Sequence, residues 1–299
     1  MIKRTKPQPL PSTLYNEDYF LTSCEGYREF IESEGKQLSR RLSAAFAVAE
    51  VRPGMRILDV GSGRGEIVRH CARLGANAYG VDYTAVANQM ARQLLVNEQE
   101  AVGRMEIAQA DAKRLPFPAG SFDRVLMFDI VEHLHPWELH SAFLQARRVL
   151  KKHGQLVIHT APNRWYDRYA YPFVRLYRRL TGEGGRYPKN PRELVPVNVH
   201  VHVNEQDILS LPRALRQAGF RGQVWLDSPP QHRRENPLLA ALRKIAFQVS
   251  PFRWFFEREL FAVASKVSFQ YFGAGPPLTP PAGGRPRASQ ASPPRAGGD

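Results

Sequence analysis

The stretch from Ile57 to Glu66 carries the residue types best suited to holding a small ligand. It reads Ile-Leu-Asp-Val-Gly-Ser-Gly-Arg-Gly-Glu, an apolar run that leads into three glycines at GxGxG spacing. Glycine lets the backbone turn tightly and approach a ligand, because it has no Cβ. A dinucleotide-binding loop begins similarly, but Glu66 stands where that loop needs a small residue and would repel a pyrophosphate. The loop therefore favours a cofactor without phosphates.

Three acidic residues accompany three successive apolar runs, and S-adenosylmethionine offers a group for each of them. Asp59 can reach the methionyl ammonium, and Asp82 can accept from both ribose hydroxyls. Asp111 can accept from the adenine amino group, with Leu115 and Phe117 flanking the ring. Ligands of α/β proteins bind at the carboxyl edge of the sheet, so three acids in register there predict a site for this cofactor.

A parallel sheet is needed to bring these acids together, and the hydrophobic pattern predicts one. Apolar runs alternate with amphipathic stretches such as Glu66–Leu74 and Thr84–Asn97, which is typical of βαβ units. The runs are Arg56–Val60, Ala78–Val81, Met105–Ala108, Arg124–Phe128 and Gln155–Thr160, followed later by Gln223–Asp227 and Leu260–Val267. We therefore predict an α/β fold with a Rossmann-like, seven-stranded, mostly parallel sheet, helices on both faces and an antiparallel edge strand.

Five stretches carry a resemblance to a known family: LDVGSGRGE, VDY, DAKRLPF, SFDRVLMFDIVEHL and VLKKHGQLVIHTAPN. Over residues 56–160 the chain resembles class I S-adenosylmethionine-dependent methyltransferases of the bacterial type that includes ubiquinone-pathway and small-molecule O-methyltransferases. The similarity extends more loosely to the His202–Glu205 segment and to a helix predicted over Glu205–Ala218. The resemblance implies S-adenosylmethionine as cofactor. The expected cofactor contacts are Asp59, Gly61, Gly63, Gly65, Asp82, Tyr83, Asp111, Ala112, Phe128 and Asp129.

Methyl transfer from a sulfonium depends mainly on geometry, worth ~7–11 kcal/mol, but a hydroxyl or amine acceptor also needs a base. The candidates are His133, His159, His200 and His202. We predict His133 or His202, facing each other across the acceptor, because a neutral imidazole with a pKa near ~6.5 accepts a proton at physiological pH. His202 is also placed to hold a helix start at Asn204–Glu205.

The segment from Asp129 to His133 resembles the Glu-x-x-Glu-His element of ubiquinone-pathway O-methyltransferases. That element is associated with a divalent metal, but this chain has aspartate in its first acidic position. The Glu-His pair also occurs in relatives without metal. We therefore predict no metal and keep a divalent metal as the minority alternative.

Composition divides the chain around the predicted methyltransferase domain. Residues 1–12 are expected to form a flexible arm, and residues 13–272 the domain, with cap helices at 13–50. Segment 163–204 is predicted to build the acceptor pocket together with the cap, and 232–257 to form a helical insert. Residues 273–299 are rich in Pro, Gly, Ala and Ser, which cannot bury enough apolar surface to fold, so we expect disorder there.

The formal charge of +14 bears on the partner. Eight basic residues between Arg164 and Arg192 outnumber the acidic ones and interleave with aromatic residues, and Pro237–Phe256 repeats the theme. Such segments suit a lipid headgroup zone, an anionic glycolipid or stacked bases. A solvated arginine-rich face and a core helix of a lid are the structural alternatives.

The sequence thus favours O-methylation of a small-molecule, saccharide or lipid-linked acceptor, and the basic-aromatic segments suit isoprenoid or cell-envelope glycan pathways. An RNA methyltransferase is the first alternative, although neither an RNA-binding motif nor an Asn/Asp-Pro-Pro-Tyr element is present. A catalytically inactive cofactor-binding regulator is the second. The sequence shows no apolar signal region and no run near the ~20 apolar residues of a spanning helix. A cytoplasmic protein is expected, with peripheral contact at the inner membrane face as an option.

Overall fold

A seven-stranded sheet forms the centre of the protein. The structure is a computed structural model and describes residues 6–227, 244–247 and 249–267. The strands are β1 (Arg56–Val60), β2 (Asn77–Asp82), β3 (Met105–Gln109), β4 (Phe122–Phe128), β5 (Leu150–Thr160), β6 (Phe220–Leu226) and β7 (Leu260–Lys266). Their order is β3-β2-β1-β4-β5-β7-β6. Among these strands only β7 runs in the opposite direction to the others, so its pairings with β5 and with β6 are antiparallel. The predicted Rossmann-like fold is confirmed, and the antiparallel strand lies one position in from the edge.

Helices cover both faces of the sheet. The α-helices of the described residues are α1 (Tyr27–Ser33), α2 (Arg40–Val48), α3 (Glu66–Arg73), α4 (Ala85–Val96), α5 (Pro136–Val149), α6 (Tyr171–Leu180), α7 (Asn198–Val201), α8 (Ser210–Gln217) and α9 (Arg253–Phe256), and residues 244–247 are also helical. Leu139, Phe143 and Leu215 pack on one face, whereas Leu42 and Ile67 pack on the other. The apolar faces of the amphipathic stretches therefore build one core on each side of the sheet.

Local side-chain bonds set where the helices begin. Thr84 caps α4, because its hydroxyl accepts from the backbone N–H of Ala87 at 3.3 Å. The helix predicted to begin at Glu205 begins instead at Ser210. The Asp207 carboxylate accepts from the N–H groups of Leu209 and Ser210 at 2.9 and 2.8 Å, which holds residues 205–209 outside the helix. The expectation that His202 holds a helix start is therefore wrong.

The connections add short elements to this frame. One-turn 3-10 or π segments at Ser12–Leu14 and Tyr19–Ser23 precede α1, and a π segment at Tyr166–Ala170 leads into α6. The arm predicted to be flexible contacts α5, since the Trp137 indole N–H donates to the Pro7 carbonyl at 3.0 Å. Residues 1–5 of that arm, residues 232–243 and 248 of the 232–257 insert, and the tail at 273–299 lie outside the described residues. No helix in the described part of the chain is long and apolar enough to cross a membrane.

Candidate functional site

A cavity of about 180 Å³ lies at the carboxyl edge of β1, β2 and β4. The glycine loop after β1 forms its floor. Gly61 lies at φ +78° and its missing side chain leaves room for Ile130, whose Cδ1 would be 2.7 Å from a Cβ. The N–H groups of Gly61 and Ser62 both donate to the Val81 carbonyl, at 2.8 and 3.0 Å. The loop is therefore fixed against β2, with Gly61 and Gly63 lining the cavity as predicted.

Gly65, the third glycine predicted to contact the cofactor, lies against α4. It does not line the cavity, and a Cβ there would lie 2.9 Å from the Cβ of Ala91 on α4. Gly65 directly precedes α3 and has a left-handed backbone conformation, with φ +86°. The third glycine of the motif therefore allows close packing of the loop against α4, and its predicted contact with the cofactor stays a prediction.

Asp82 ends β2 and lines the cavity with its neighbour Tyr83. Its carboxylate accepts from the Gly63 N–H at 3.2 Å and from both the N–H and the hydroxyl of Thr84 at 2.9 Å. Burial raises the pKa of Asp82, although these hydrogen bonds oppose the rise. Asp82 thus ties the first two strand ends together and keeps its position with respect to the glycine loop.

Asp111 and Ala112 follow β3 and also line the cavity. The Asp111 carboxylate accepts from the backbone N–H of Lys113 at 2.8 Å and pairs with the Lys113 ammonium at 2.9 Å. Leu115 and Phe117, expected to flank an adenine ring, do not line the cavity. Leu115 is buried in the core, and the Phe117 ring packs edge-on against that of Phe122 at 5.0 Å. Apolar character alone did not distinguish a ligand contact from core packing.

Several acceptors in the cavity have no partner within the protein. Among the described residues, Glu66 Oε1, Ser62 Oγ and Asp129 Oδ2 are buried without a hydrogen-bond partner, and all three residues line the cavity. Burial, followed by the charges of Asp82 and Glu66, raises the pKa of Asp59 to about 8. Such a cluster of crowded carboxyl groups favours a cationic ligand. The methionyl ammonium and sulfonium of S-adenosylmethionine would meet these unpartnered acceptors and crowded carboxyl groups.

The turn after β4 is held by a buried ionic network. Asp129, at φ +51°, contacts Arg41 of α2 at 3.0 Å and the His159 Nδ1 of β5 at 2.9 Å. Arg41 also pairs with Glu25 at 3.1 Å, and the His159 Nε2 lies 3.3 Å from Glu259. Burial opposes ionisation of Asp129, but Arg41 and His159 outweigh it and hold its pKa below the ordinary value. The network connects the N-terminal cap to residues of β4, β5 and β7 or directly beside them. Asp129 belongs to this network and, with Phe128, also lines the cavity.

The two histidines predicted to face each other across an acceptor are in contact. The rings of His133 and His202 pack edge to face with centroids 5.1 Å apart, which leaves no space for a substrate between them. His133 lines the cavity and its Nδ1 lies 3.1 Å from the Tyr15 hydroxyl. His202 lies outside the cavity lining, with its Nδ1 3.3 Å from Glu205. Burial, and then His202, lowers the pKa of His133 to about 3, so the expectation of a pKa near ~6.5 is wrong.

Glu132, His133 and His202 also form a group that could hold a metal ion. One ligand atom from each lies within 4.8 Å of the others. Asp129, the first acid of the element that resembles a metal motif, points instead to Arg41 and His159. The prediction of no metal stays a prediction.

Aromatic residues of the N-terminal segment were missed as site residues by the sequence analysis. Tyr15, Tyr19 and Phe20 line the cavity, and the rings of Tyr15 and Tyr83 pack edge to face at 5.8 Å. The sequence signal that could have identified them is the close spacing of these three aromatic residues after the proline-rich arm. None of the described residues in 163–204 lines this cavity. That segment reaches it indirectly, because the N–H groups of Val203 and Asn204 donate to the Glu132 carbonyl at 3.0 Å.

The chain was compared with known proteins. The family described as "Methyltransferase domain" matches residues 58–158. A demethylmenaquinone methyltransferase of Tropheryma whipplei (strain Twist) is 34% identical over 138 residues, which are 46% of this chain and 53% of that protein. The ubiquinone/menaquinone biosynthesis C-methyltransferase UbiE of Pseudomonas savastanoi pv. phaseolicola is 29% identical over 196 residues, 60% of this chain and 71% of that one. This chain thus spans about half the length of the first relative.

Solved structures agree with the fold. The PH0226 protein of Pyrococcus horikoshii OT3 superposes with a TM-score of 0.54 at 16% identity, covering 86% of this chain and all of that one (100%). The strand order, the glycine loop and the matched domain lead to one assignment. Residues 58–158 of the chain therefore form a methyltransferase domain of the class I S-adenosylmethionine-dependent type.

Proposed function

We propose that this protein transfers a methyl group from S-adenosylmethionine to a small-molecule acceptor that enters the same cavity. The observation that carries the proposal is that two kinds of side chain, acidic and aromatic, line different parts of the cavity. Crowded carboxyl groups at the strand ends include Asp59 and Asp82, whereas Tyr15, Tyr19 and Phe20 form an aromatic wall from the N-terminal segment. When bound, the cofactor supplies an electrophilic methyl group on a positively charged sulfonium.

The acids have separate proposed roles in holding the cofactor. Asp59, together with the unpartnered Glu66 Oε1, is proposed to hold the methionyl ammonium. Asp82 is proposed to accept from the ribose hydroxyls, since its carboxylate is already fixed by Gly63 and Thr84. Asp111 is proposed to accept from the adenine amino group while Lys113 holds it in place. Rigid placement of these acceptors reduces the entropy lost on binding.

His133 is proposed as the residue that contacts the acceptor. It lines the cavity beside the Tyr15 hydroxyl and stays neutral, because its pKa is about 3. A base this weak accepts a hydrogen bond more readily than a proton, so we assign His133 mainly to orienting the acceptor oxygen. His202 packs behind it and is proposed as a positioning residue, held by Glu205.

The acceptor is proposed to be an apolar aromatic or isoprenoid compound. The aromatic wall favours it, and the two relatives are named a demethylmenaquinone methyltransferase and a ubiquinone/menaquinone biosynthesis C-methyltransferase. The sequence favoured methylation at oxygen, whereas the name of the second relative favours carbon. Product analysis separates these two outcomes.

The proposal is tested by incubating the protein with methyl-labelled S-adenosylmethionine and fractionated host extract. Label should enter a small-molecule or lipid fraction, and NMR of the product should identify the methylated atom. At cofactor concentrations well below the wild-type Kd, Asp82→Ala should slow the transfer at least ~10-fold, whereas Glu100→Ala, at a side chain that is 71% exposed, should not change it. Label entering RNA would replace the proposal with the RNA alternative. No transfer despite cofactor binding would favour an inactive regulator.

A further inference from the structure

Helix α6 carries an apolar stripe on its solvent side. Phe173, Leu176, Tyr177 and Leu180 are exposed and recur at helical spacing, with Phe173 69% and Leu180 78% exposed. Tyr169, one turn earlier, is exposed as well. In a surface helix of a globular protein the apolar stripe normally faces the core. The orientation of α6 is therefore the reverse of the usual one and needs an explanation.

The opposite side of α6 is fixed to the protein, so the outward stripe is not a consequence of a loose helix. Tyr171 is 2% exposed and its hydroxyl donates to the Pro188 carbonyl at 2.8 Å. The Arg175 guanidinium donates to the Tyr187 carbonyl at 3.1 Å. Val174 packs in a cluster with the buried Tyr171. Turning the stripe inward would break each of these contacts.

A second element widens the apolar area. Helix α9 packs against the Tyr166–Ala170 segment, and the Tyr169 ring lies 5.8 Å from that of Phe255. Phe252 and Trp254 at this helix are 50% and 40% exposed. We call the outward-facing set the insert surface; it consists of Tyr169, Phe173, Leu176, Tyr177, Leu180, Phe252 and Trp254. Grouped exposed aromatic and aliphatic side chains of this kind mark an interaction site more often than a free surface.

The charges around the insert surface indicate the kind of partner. Arg168, Arg179, Arg186 and Lys189 are exposed on the same segment. The Glu183 carboxylate is engaged by Arg178 at 2.8 Å. Basic heads beside outward aromatic bodies are the arrangement found at membrane interfaces. A second copy of this basic surface would bring like charges together, which disfavours self-association through it.

We propose that the insert surface docks on an anionic lipid bilayer, with its apolar side chains inserted at the headgroup boundary and its arginines on lipid phosphates. The insert begins after β5, whose end Thr160 bonds Glu132 beside the cavity at 2.7 Å. The proposal concerns binding and does not depend on methyl transfer.

Vesicle co-sedimentation tests the proposal with the full chain. Binding to vesicles of phosphatidylcholine with added phosphatidylglycerol should rise with the acidic fraction and fall as salt increases. Each basic residue near an anionic surface contributes about fivefold in affinity, so Arg168→Glu with Arg179→Glu should weaken binding at least ~20-fold. Phe173→Ser with Leu176→Ser should abolish it.

Matched controls and opposite outcomes are available. Val96→Ser with Val102→Ser changes two valines that are 83% and 84% exposed elsewhere, and should leave vesicle binding unchanged. The unfolding midpoint of every variant should equal that of the wild type, which excludes misfolding. The proposal is overturned if the wild type ignores acidic vesicles at low salt, or if the Phe173/Leu176 variant binds as the wild type does. A dimer that this variant dissociates, without vesicle binding, would instead assign the surface to self-association.

Discussion

At the scale of single residues, the cavity is organised by acids that the fold forces close together. Asp59 is 4% exposed and lies near both Asp82 and Glu66, so its carboxylate is costly to ionise until a cation enters. Glu66 at the start of α3 is partly neutralised by Arg64, whose Nε lies 2.8 Å from its carboxylate. Of these two acids, Glu66 is paired through one of its oxygens, and Asp59, whose pKa is raised to about 8, is the one expected to respond to the ligand.

Asp59 makes cofactor binding depend on pH. Its pKa of about 8 means that it is mostly protonated below pH 7, whereas a bound ammonium favours the carboxylate. Between pH 5.5 and 7.5 we therefore expect the affinity for S-adenosylmethionine to rise by up to ~10-fold per pH unit, with release of up to about one proton. Calorimetry in two buffers of different ionisation enthalpy measures both. Asp59→Asn should remove the proton release, and a flat wild-type profile without proton release would refute the assignment.

His133 provides a second residue-scale prediction that needs no substrate. Burial and the adjacent His202 lower its pKa to about 3, so its ring should stay neutral throughout pH 5–8. NMR of protein with isotope-labelled histidine should show a His133 signal that does not titrate in that range. A His133 signal that titrates near pH 6.5 would restore it as an ordinary general base.

At the scale of elements, the glycine loop contains a residue at which both the backbone conformation and the packing against α4 require glycine. Gly65 was expected at the cofactor but packs against α4. Gly65→Ala should cost ~1–2 kcal/mol for the left-handed conformation and a further ~1–3 kcal/mol for overpacking against Ala91. Gly120→Ala, at φ +69° with nothing within 4 Å of the added Cβ, should cost only the ~1–2 kcal/mol of the left-handed conformation. Urea unfolding compares them, and equal losses would contradict the packing role.

The strands could be predicted because their apolar runs and their separation by amphipathic helices are local signals. β1 was predicted with its bounds, and the other strands within a few residues except for the start of β5 at Leu150. The start of α8 was predicted too early. The hydrogen bonds that the Leu209 and Ser210 N–H groups donate to the Asp207 carboxylate, which set the start of the helix, could not be read from the sequence. The contact between His133 and His202 also escaped prediction, since it joins segments that are far apart in sequence. Such contacts are determined by tertiary packing and not by spacing.

At the scale of the whole molecule, an ionic network connects the cap to the sheet. His159 is fully buried, with an Asp129 oxygen 2.9 Å from one ring nitrogen and a Glu259 oxygen 3.3 Å from the other, and two carboxyl groups this close favour the charged imidazolium. Burial opposes that charge, but Asp129 outweighs it and raises the pKa of His159 to about 9. Through Arg41 the same network extends to Glu25 in the N-terminal cap. Loss of the His159 charge should therefore weaken the whole fold.

The raised pKa of His159 gives stability a definite dependence on pH. Its contribution, on the order of 3 kcal/mol, should be fully present below the unfolded pKa of about 6.5 and lost as the pH rises through about 9. The free energy of unfolding of the wild type minus that of His159→Gln should therefore decline between pH 6.5 and 9. Denaturant titrations at several pH values measure this difference. A difference that does not change with pH would show that His159 carries no extra proton in the fold.

The central claim is that the cavity at the strand ends holds S-adenosylmethionine, and calorimetric titration of the purified chain tests it most directly. The wild type should bind this cofactor and not NAD. Asp82→Ala, checked for folding by its unfolding midpoint, should weaken binding by ~1.5–3 kcal/mol for each hydroxyl bond lost, which is at least ~10-fold. Glu100→Ala should bind as the wild type does. Unchanged affinity in folded Asp82→Ala, or tight binding of NAD by the wild type, would contradict the account.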